Sequence, residues 1–495
     1  MVDLRSVLSA SSPIRDGREI AIPMDAKTLN GLNPYLEGAH RPIRRETQAL
    51  DLTVTGEIPR DFGGAYYRNG PDPLNDPTGL HHWFDGDGMI HAIHFEDGRA
   101  RYRNRYVRTA DFEAEVRGDL DKPGIFSPAS RTASPTVYKD TANTDVVLHN
   151  GSLMALWYVS GQPVRMDAET LETLRSEDFA GDLPGNVSAH SKVDPETGAF
   201  HFFDYDLYDP FYSYGVVDAA NRLTHFTRIE LPGPRLPHDM AITENHVVLM
   251  DLPVVFTDQG LKNRVWSIHH DARLPTRFGV LPKHGSGEAI RWFEFPGCYI
   301  YHVVNAWEAG DEIHLYACKM VDNGRDLPMQ YGPYAPMVNV LALRAHLTRW
   351  TMNLKTGATR EEQVDDTIGE FPVVNLAHTG RKSRFSYHVS IPDTDVQVFD
   401  GLLKYDLERG THVRHDFGPG VFGSEPAFAP RLNAKSEDDG YLVTFVTHAE
   451  TGESRARIID AQDMAGPPVA EVHIPQRVPL GFHGTWANAS EYSAA

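Results

Sequence analysis

The sequence predicts an all-β protein built as a single β-propeller, in which the inner strands surround a central axis. Short β-branched strands alternate with tight turns along most of the chain, and helical periodicity is scarce. The 495 residues contain no linker or low-complexity stretch that forces a domain boundary. A propeller of this length can be one unit. We therefore expect residues 36–495 to form one propeller domain, with residues 1–35 as an N-terminal arm lying over it.

One turn pattern recurs and supports this prediction. An apolar strand runs into an acidic or asparagine residue followed by glycine, and a polar–apolar alternation then returns. Asp and Asn side chains hydrogen-bond to their own backbone and Gly adopts positive φ, so these turns are typical of hairpins. The turns lie at residues 96–98, 194–198, 353–357, 406–410 and 450–452. The best candidate for a helix is residues 258–272.

Composition excludes several classes of protein. The formal net charge of −21 argues against a nucleic-acid partner, which requires a basic face, and against attachment to an anionic membrane by charge. The two cysteines, Cys298 and Cys318, allow at most one disulfide and favour a reducing compartment, so we expect a cytoplasmic protein. The first 20 residues lack a signal-peptide pattern, and no stretch approaches 18 apolar residues.

Four histidines, His190, His238, His302 and His483, lie at the ends of predicted strands. A lone histidine beside an apolar strand is more often a core or rim residue than a ligand. No helix supplies two of these four at helical spacing, so they converge only if separate strands point at one axis. The axis of a propeller provides that geometry. We therefore predict that the four form one metal site.

The ligand types narrow the metal. Imidazole suits zinc, copper, iron and nickel, whereas structural zinc prefers cysteine pairs that this chain lacks. Four ligands leave open positions only on a five- or six-coordinate metal, which favours iron(II) and dioxygen chemistry. A metal-bound histidine usually donates its second ring N–H to a carboxylate or carbonyl. Glu370 and Glu425 have suitable context for this role, and the alternative is that both are surface-loop acids.

Several motifs in order along the chain resemble the carotenoid cleavage oxygenase family, also called the retinal-pigment-epithelium membrane protein family. The matching stretches are Tyr67-Arg68-Asn69-Gly70-Pro71, Phe84-Asp85-Gly86-Asp87-Gly88-Met89, Ala142-Asn143-Thr144, Ser188-Ala189-His190, Lys192-Val193-Asp194-Pro195, Pro237-His238-Asp239, His302-Val303-Val304-Asn305-Ala306-Trp307-Glu308, Glu370-Phe371-Pro372, Glu437-Asp438-Asp439-Gly440 and Gly481-Phe482-His483-Gly484. The resemblance implies seven blades, loops and short helices over one face, and Fe(2+) on the four histidines. It also implies addition of dioxygen across a carbon–carbon double bond, without an organic cofactor.

The chain departs from the family at one position that should orient a ligand. The family places a third glutamate where this sequence has Tyr158. We expect the phenol oxygen of Tyr158, or a water, to accept the ring N–H of one histidine. We expect that histidine to be His238. Stilbene-cleaving relatives carry a lysine where Trp157 stands, which weakens a stilbene assignment. Thr144 resembles a threonine whose methyl group crowds one open iron position.

Aromatic and apolar residues suggest where a substrate lies. Trp83, Phe84, Tyr301 and Trp307 are candidates to line the substrate channel, and the alternative is propeller core. The segment 252–256 is interpreted as an inner strand, with transient contact to a membrane left open. No oligomeric state is predicted.

The leading hypothesis is an iron(II) dioxygenase that cleaves a conjugated C=C bond of an apocarotenoid or carotenoid into two carbonyl products. The alternative enzyme cleaves the side-chain double bond of a phenylpropene or stilbene. An isomerohydrolase is a further possibility, which represents a narrower branch of the same family. A non-catalytic binding propeller is disfavoured, because binding a partner on its face does not require four histidines to converge.

Overall fold

The computed structural model describes residues 31–77, 81–120, 122, 124–125, 138–207, 209, 211–256, 258, 268–321, 328–340 and 342–492. Within these residues the strands form seven sheets of four to six strands each, which are the blades of a β-propeller, and one separate hairpin. The prediction of an all-β, seven-bladed propeller is confirmed. The blades are numbered in order around the ring. Within each blade the strands are given from the axis outward.

Blade 1 contains Gly484–Asn488, Gly64–Pro71, Gly88–Glu96, Arg99–Tyr106 and Thr47–Ala49. Blade 2 contains Asp145–His149, Ser152–Leu156, Val164–Met166 and Thr173–Ser176. Blade 3 contains Lys192–Val193, Phe200–Tyr205, Tyr212–Val217 and Leu223–Arg228. Blade 4 contains Ala241–Ile242, His246–Asp251, Thr276–Pro282 and Arg291–Phe295.

Blade 5 contains Ile300–Ala309, Glu312–Met320, Ala345–Asn353 and Thr359–Gln363. Blade 6 contains Gly369–Val373, Phe385–Ser390, Gly401–Asp406 and Thr411–Asp416. Blade 7 contains Val421–Gly423 and Ala427–Pro430, followed by Gly440–His448, Ser454–Asp460, Ala470–Ile474 and Val54–Gly56. The separate hairpin pairs Val254–Phe256 with Ile268–His270.

Helical segments are short and lie between strands. The α-helices of the described residues are Ala110–Arg117, Ala335–Val340 and Ala489–Tyr492. The 3-10 turns are Pro34–Leu36, Gly38–His40, Trp83–Asp85, Gly287–Ala289, Met329–Tyr334 and Leu376–His378. Every helix in the described ranges falls short of the length and apolar character needed to span a membrane.

All five predicted turns join antiparallel strands. Residues 353–357 connect the last two strands of blade 5, and Gly357 adopts φ +80°. Residues 406–410 do the same in blade 6, where Gly410 has φ +66°. A side chain at such a φ strains the backbone, so glycine is the residue that these hairpins require.

The ring of blades is closed by both ends of the chain. The C-terminal strand Gly484–Asn488 pairs antiparallel with Gly64–Pro71 and so becomes the inner strand of blade 1. The N-terminal strand Val54–Gly56 pairs with Ala470–Ile474 at the outer edge of blade 7. Blades 1 and 7 are therefore each completed by strands from opposite ends of the sequence, which ties the ring shut.

Apolar side chains fill the space between neighbouring blades. Between blades 4 and 5, the buried ring of Trp350 packs edge-on against Phe278, with ring centroids 5.5 Å apart. Near the ring closure, Trp486 stacks on Phe62 at 5.5 Å. Each such fully buried side chain contributes about 1.5–3 kcal/mol through removal of apolar surface from water.

Three segments differ from the sequence-based expectation or lie partly outside the described residues. The helix expected at 258–272 is wrong for its last part, because Ile268–His270 is a strand of the separate hairpin, and residues 259–267 lie outside the described ranges. The interpretation of segment 252–256 as an inner strand is wrong, because Val254–Phe256 belongs to the separate hairpin and not to a blade. The segment is nevertheless largely buried, with Leu252 at 0% and Phe256 at 5% exposure. Most of the N-terminal arm, residues 1–30, also lies outside the described ranges, and the division at residue 35 stays a prediction.

Candidate metal centre

The inner strands of the blades begin at the propeller axis, and each brings one polar residue to it. His190, His238 and His483 lie one to three residues before the inner strands of blades 3, 4 and 1, and His302 lies in that of blade 5. The remaining three blades contribute Thr144, Glu370 and Glu425 at equivalent places. One residue per blade therefore converges on the axis, although the seven are scattered over 340 positions of the sequence.

The four histidine rings lie close together and are buried. The centroid of His190 lies 4.5 Å from His483, 4.8 Å from His238 and 4.9 Å from His302. Nitrogen atoms of His190, His302 and His483 lie within 4.8 Å of one another, as the ligands of one ion require. His238 stands slightly outside this tightest group, with its ring 5.2 Å from His302.

Two buried glutamates hold two of the rings. The Nδ1–H of His302 donates to Oε2 of Glu370 at 2.5 Å, and the backbone N–H of Phe371 donates to the same oxygen. The Nδ1–H of His483 donates to Oε2 of Glu425 at 2.8 Å, and the N–H of Gly484 donates to Oε1 at 2.9 Å. These bonds fix the tautomer that leaves Nε2 free, as in metal-bound histidines.

The chemistry of the donors fits a divalent metal. Burial holds the pKa of His190, His238 and His302 well below 6.5, so the imidazoles are neutral and carry lone pairs. Within the described ranges, Nε2 of His190 and Nε2 of His302 are buried without a hydrogen-bond partner. Buried polar atoms are normally paired, so two neighbouring imidazole nitrogens without partners suit the role of metal ligands.

The pKa of the fourth imidazole, that of His483, is shifted in the opposite direction. Burial lowers the pKa of His483, but the carboxylates of Glu425, Asp145 and Asp239 together outweigh burial and raise it. Burial also raises the pKa of Glu425 itself and that of Glu370, the latter to about 8. In both carboxyl groups burial opposes ionisation, and the hydrogen bonds that they accept favour it.

Strained backbone accompanies the site. His190 has φ +67° and Phe371 has φ +49°, in the left-handed region that side chains seldom adopt. Asp145 of blade 2 accepts the backbone N–H of His190 at 3.0 Å, and Asp239 of blade 4 accepts that of Val303 at 2.7 Å. Neighbouring blades thus hold the ligand-bearing backbone in place, and strain of this kind clusters at functional sites.

Tyr158 lies beside His238 but does not form the hydrogen bond that the sequence suggested. Its ring lies 6.1 Å from the ring of His238 and its hydroxyl, which is buried, makes no hydrogen bond to any residue in the described ranges. Nor does any carboxylate of those ranges contact the His238 ring. Burial raises the pKa of Tyr158 well above 10, so the group is a neutral hydroxyl. The expectation that Tyr158 orients His238 is wrong, because the phenol hydroxyl makes no hydrogen bond to the imidazole.

Thr144 lies beside Tyr158 in the wall of the cavity above the histidines. Its hydroxyl donates to the side-chain oxygen of Asn143 at 2.9 Å and accepts the backbone N–H of Tyr158 at 3.2 Å. The hydroxyl thus acts as donor and as acceptor within the protein. The methyl group is the remaining part of the side chain that can line the cavity.

An apolar cavity opens on His238, His302 and His483. Its wall includes Trp83, Phe84, Tyr301, Phe371 and Phe482. Three of the four aromatic residues expected to line a channel are therefore present. The fourth, Trp307, lies elsewhere: its ring stacks on Tyr316 at 5.1 Å, in a cluster between strands of blades 5 and 6.

Comparison with known proteins places this site in a family. The family model described as retinal pigment epithelial membrane protein matches residues 40–488. The chain belongs to this family. Among family members, carotenoid 9,10(9',10')-cleavage dioxygenase 1 of Pisum sativum is 36% identical over 91% of this chain and 89% of its own length. Isoeugenol monooxygenase of Pseudomonas nitroreducens is 32% identical over 92% of this chain and 98% of its own length.

The fold agrees with a solved structure of the same group. Lignostilbene dioxygenase of Pseudomonas brassicacearum superposes with a TM-score of 0.81 at 28% identity, covering 95% of this chain and all of that one. The predicted membership of the retinal pigment epithelial membrane protein family is confirmed, and the chain is an oxygenase. The buried histidine cluster can hold a metal ion.

Some residues of the site escaped the sequence analysis. Phe371 and Phe482 line the cavity and adjoin Glu370 and His483, so their place next to predicted ligands could have identified them. Gln397 also lines the cavity, yet it lies in a loop without periodicity and carries no signal in the sequence.

Proposed function

We propose that this oxygenase binds Fe(2+) through His190, His238, His302 and His483 and cleaves a conjugated C=C bond of an apocarotenoid or carotenoid into two carbonyl products. The observation that carries the proposal is the convergence of four buried imidazoles, three of them neutral, beneath an apolar cavity. A ligand set without a carboxylate suits a divalent transition metal. Ferrous iron bound there would supply the site at which dioxygen reacts.

The residues of the chain have separate tasks in this reaction. Glu370 and Glu425 orient His302 and His483 through their Nδ1–H groups. The aromatic wall provides a dry surface against which a planar conjugated chain can stack. Excluding water from the cavity also protects reactive species from hydrolysis. The Thr144 methyl group restricts the space beside the metal and so limits how substrate and dioxygen share it.

The test uses the purified protein loaded anaerobically with iron. An apocarotenal is added, then air containing labelled dioxygen, and the products are analysed by mass spectrometry. We expect two carbonyl products, with label in the new carbonyl groups, and no product from the protein stripped of metal. Full activity with the stripped protein, or absence of cleavage of any carotenoid chain length, would contradict the proposal.

A second candidate substrate class is a phenylpropene or stilbene. It is supported by the similarity to isoeugenol monooxygenase over almost the whole of both chains and to lignostilbene dioxygenase in fold. The same assay with isoeugenol and with a hydroxylated stilbene separates the two classes by their kcat/KM values. We expect the apocarotenal to be the better substrate, because Trp157 replaces the phenol-binding lysine of stilbene-cleaving relatives.

We also propose a reducing compartment, the cytoplasm, as the place of action. Cys298 and Cys318 are both buried and unpaired, which fits such a compartment. Fractionation of cells followed by detection of the protein tests this, and recovery of the protein from an oxidising compartment would contradict it.

A further inference from the structure

Gln397 is a polar residue in the wall of an otherwise largely aromatic cavity. It lines the same space as His238, His302 and His483, and its exposure is 1%. Within the described ranges neither its Nε2 nor its Oε1 has a hydrogen-bond partner, although both atoms are buried. The carboxamide therefore brings free donors and a free acceptor to the site where substrate is expected.

The loop that carries Gln397 is firmly anchored. Residues 391–400 connect Phe385–Ser390 to Gly401–Asp406 in blade 6. Val396 and Val398, on either side of Gln397, pack against the apolar cluster beneath the loop. Phe399 is fully buried and contacts Phe371, whose ring lies 4.8 Å from His302. The amide is thus held in a defined position relative to the histidines and is not free to turn to solvent.

Such a group is costly for the fold alone. A buried amide without a partner loses the hydrogen bonds that it makes to water in the unfolded chain, and nothing in the protein replaces them. An apolar side chain of the same shape would be the more stable choice at this position. A buried polar group that the fold leaves unpaired is a candidate for binding a ligand.

We propose that Gln397 binds a hydroxyl group of the conjugated alkene substrate. The inference rests on the proposed function and deepens it. A carboxamide offers N–H donors and a carbonyl acceptor, and a hydroxyl both accepts and donates, so a hydroxyl can use either group. An ether or a ketone can accept only, which leaves Oε1 unpaired. A pure hydrocarbon leaves the whole carboxamide unpaired. The enzyme should therefore discriminate in favour of hydroxylated substrates.

The position of Gln397 in the ring suggests what this contact selects. Gln397 belongs to blade 6, whereas Tyr158, whose hydroxyl is also unpaired in the described ranges, follows the second strand of blade 2. These blades are three steps apart in one direction around the ring and four in the other, so the two residues come from opposite sides of the ring, and both line the cavity. A hydroxyl bound at Gln397 fixes how far the conjugated chain extends past the histidines, and hence which double bond lies over them.

The experiment compares Gln397→Met, which has similar volume and no donor, with the wild type. Each iron-loaded protein is titrated without dioxygen with two ligands that differ only in the hydroxyl, a 3-hydroxy-apocarotenal and the corresponding apocarotenal. Quenching of tryptophan fluorescence, to which Trp83 in the cavity wall contributes, reports binding. We expect Gln397→Met to lose affinity for the hydroxylated ligand by about 10- to 100-fold and to retain affinity for the other.

A second readout does not depend on the ligand. Because the amide is unpaired in the free protein, Gln397→Met should raise Tm by a few degrees. The exchange Gln462→Met, at an exposed glutamine whose amide contacts Ser436, is the control and should leave both affinities unchanged. Equal losses for the two ligands, or no loss for either, would overturn the assignment of Gln397.

The two proposals can fail separately. If the wild type prefers the hydroxylated ligand in the absence of dioxygen but cleaves neither ligand in air, the proposed reaction is wrong and the role of Gln397 stands. If the wild type cleaves both ligands in air and Gln397→Met shows the same ratio of kcat/KM values as the wild type, the reaction stands and the role of Gln397 is wrong.

Discussion

Replacing Glu425 by Gln should weaken metal binding more than replacing Glu370 by Gln, because the two carboxylates use their oxygens differently. Glu425 accepts the His483 N–H with one oxygen and the Gly484 N–H with the other. A glutamine there must turn its NH2 group toward one of these donors. Glu370 accepts both of its N–H groups, from His302 and Phe371, on Oε2 and leaves Oε1 unpaired in the described ranges.

The magnitudes follow from these bonds. In Glu425→Gln one hydrogen bond to a charged group is lost and two donors face each other, which costs about 2–3 kcal/mol and corresponds to about 30- to 150-fold weaker binding of the metal. In Glu370→Gln the amide oxygen can accept both N–H groups while NH2 replaces the unpaired oxygen. Only charge assistance is lost, about 1 kcal/mol, or about fivefold.

Metal affinity is measured by competition with a chelator under anaerobic conditions, and metal content by mass spectrometry. The control is Glu437→Gln, which removes a carboxylate that accepts the Ser383 hydroxyl and nearby backbone N–H groups, apart from the histidines. It should leave metal affinity unchanged. Equal losses of metal affinity in Glu370→Gln and Glu425→Gln, or a larger loss in Glu370→Gln, would refute the argument that the two carboxylates differ in how their oxygens accept hydrogen bonds.

Three further expectations concern single residues. His302→Ala should lose the metal and turnover while keeping the circular dichroism of a β protein; full metal content would remove His302 from the site. Trp307→Phe should keep kcat/KM, since the ring stacks on Tyr316 away from the cavity, and a tenfold fall would show that it contacts substrate. Trp486→Ala, which removes a ring stacked on Phe62, should lower the free energy of unfolding by about 3–5 kcal/mol in urea titrations; a change below about 1 kcal/mol would show that the ring closure tolerates the cavity.

Much of the architecture was predictable because it depends on local chemistry. A turn such as 353–357 combines an Asn that bonds its own backbone with a Gly at φ +80°, and both requirements are visible in the sequence. The four histidines, Glu370 and Glu425 could be proposed because each lies beside a short apolar strand or a proline. Their convergence was not visible in their spacing and depended on the propeller.

The failures have different physical origins. Trp307 follows His302 by five residues along one strand, which is about 16 Å at 3.3 Å per residue, so it lies far from the axis end of blade 5. Tyr158 lies beside His238, but its hydroxyl makes no hydrogen bond to the imidazole ring. Gln397 was missed since a loop without periodicity does not reveal which of its side chains turns inward.

The closure of the ring by Gly484–Asn488 makes the histidine cluster depend on the pairing of strands that are far apart in the sequence. His483 immediately precedes this strand, and its carbonyl accepts the Asn69 N–H of the adjoining strand at 2.8 Å. Fraying of this strand pair would therefore displace one of the four histidines. The stability of the ring closure and the affinity of the cluster for a metal ion should accordingly rise and fall together.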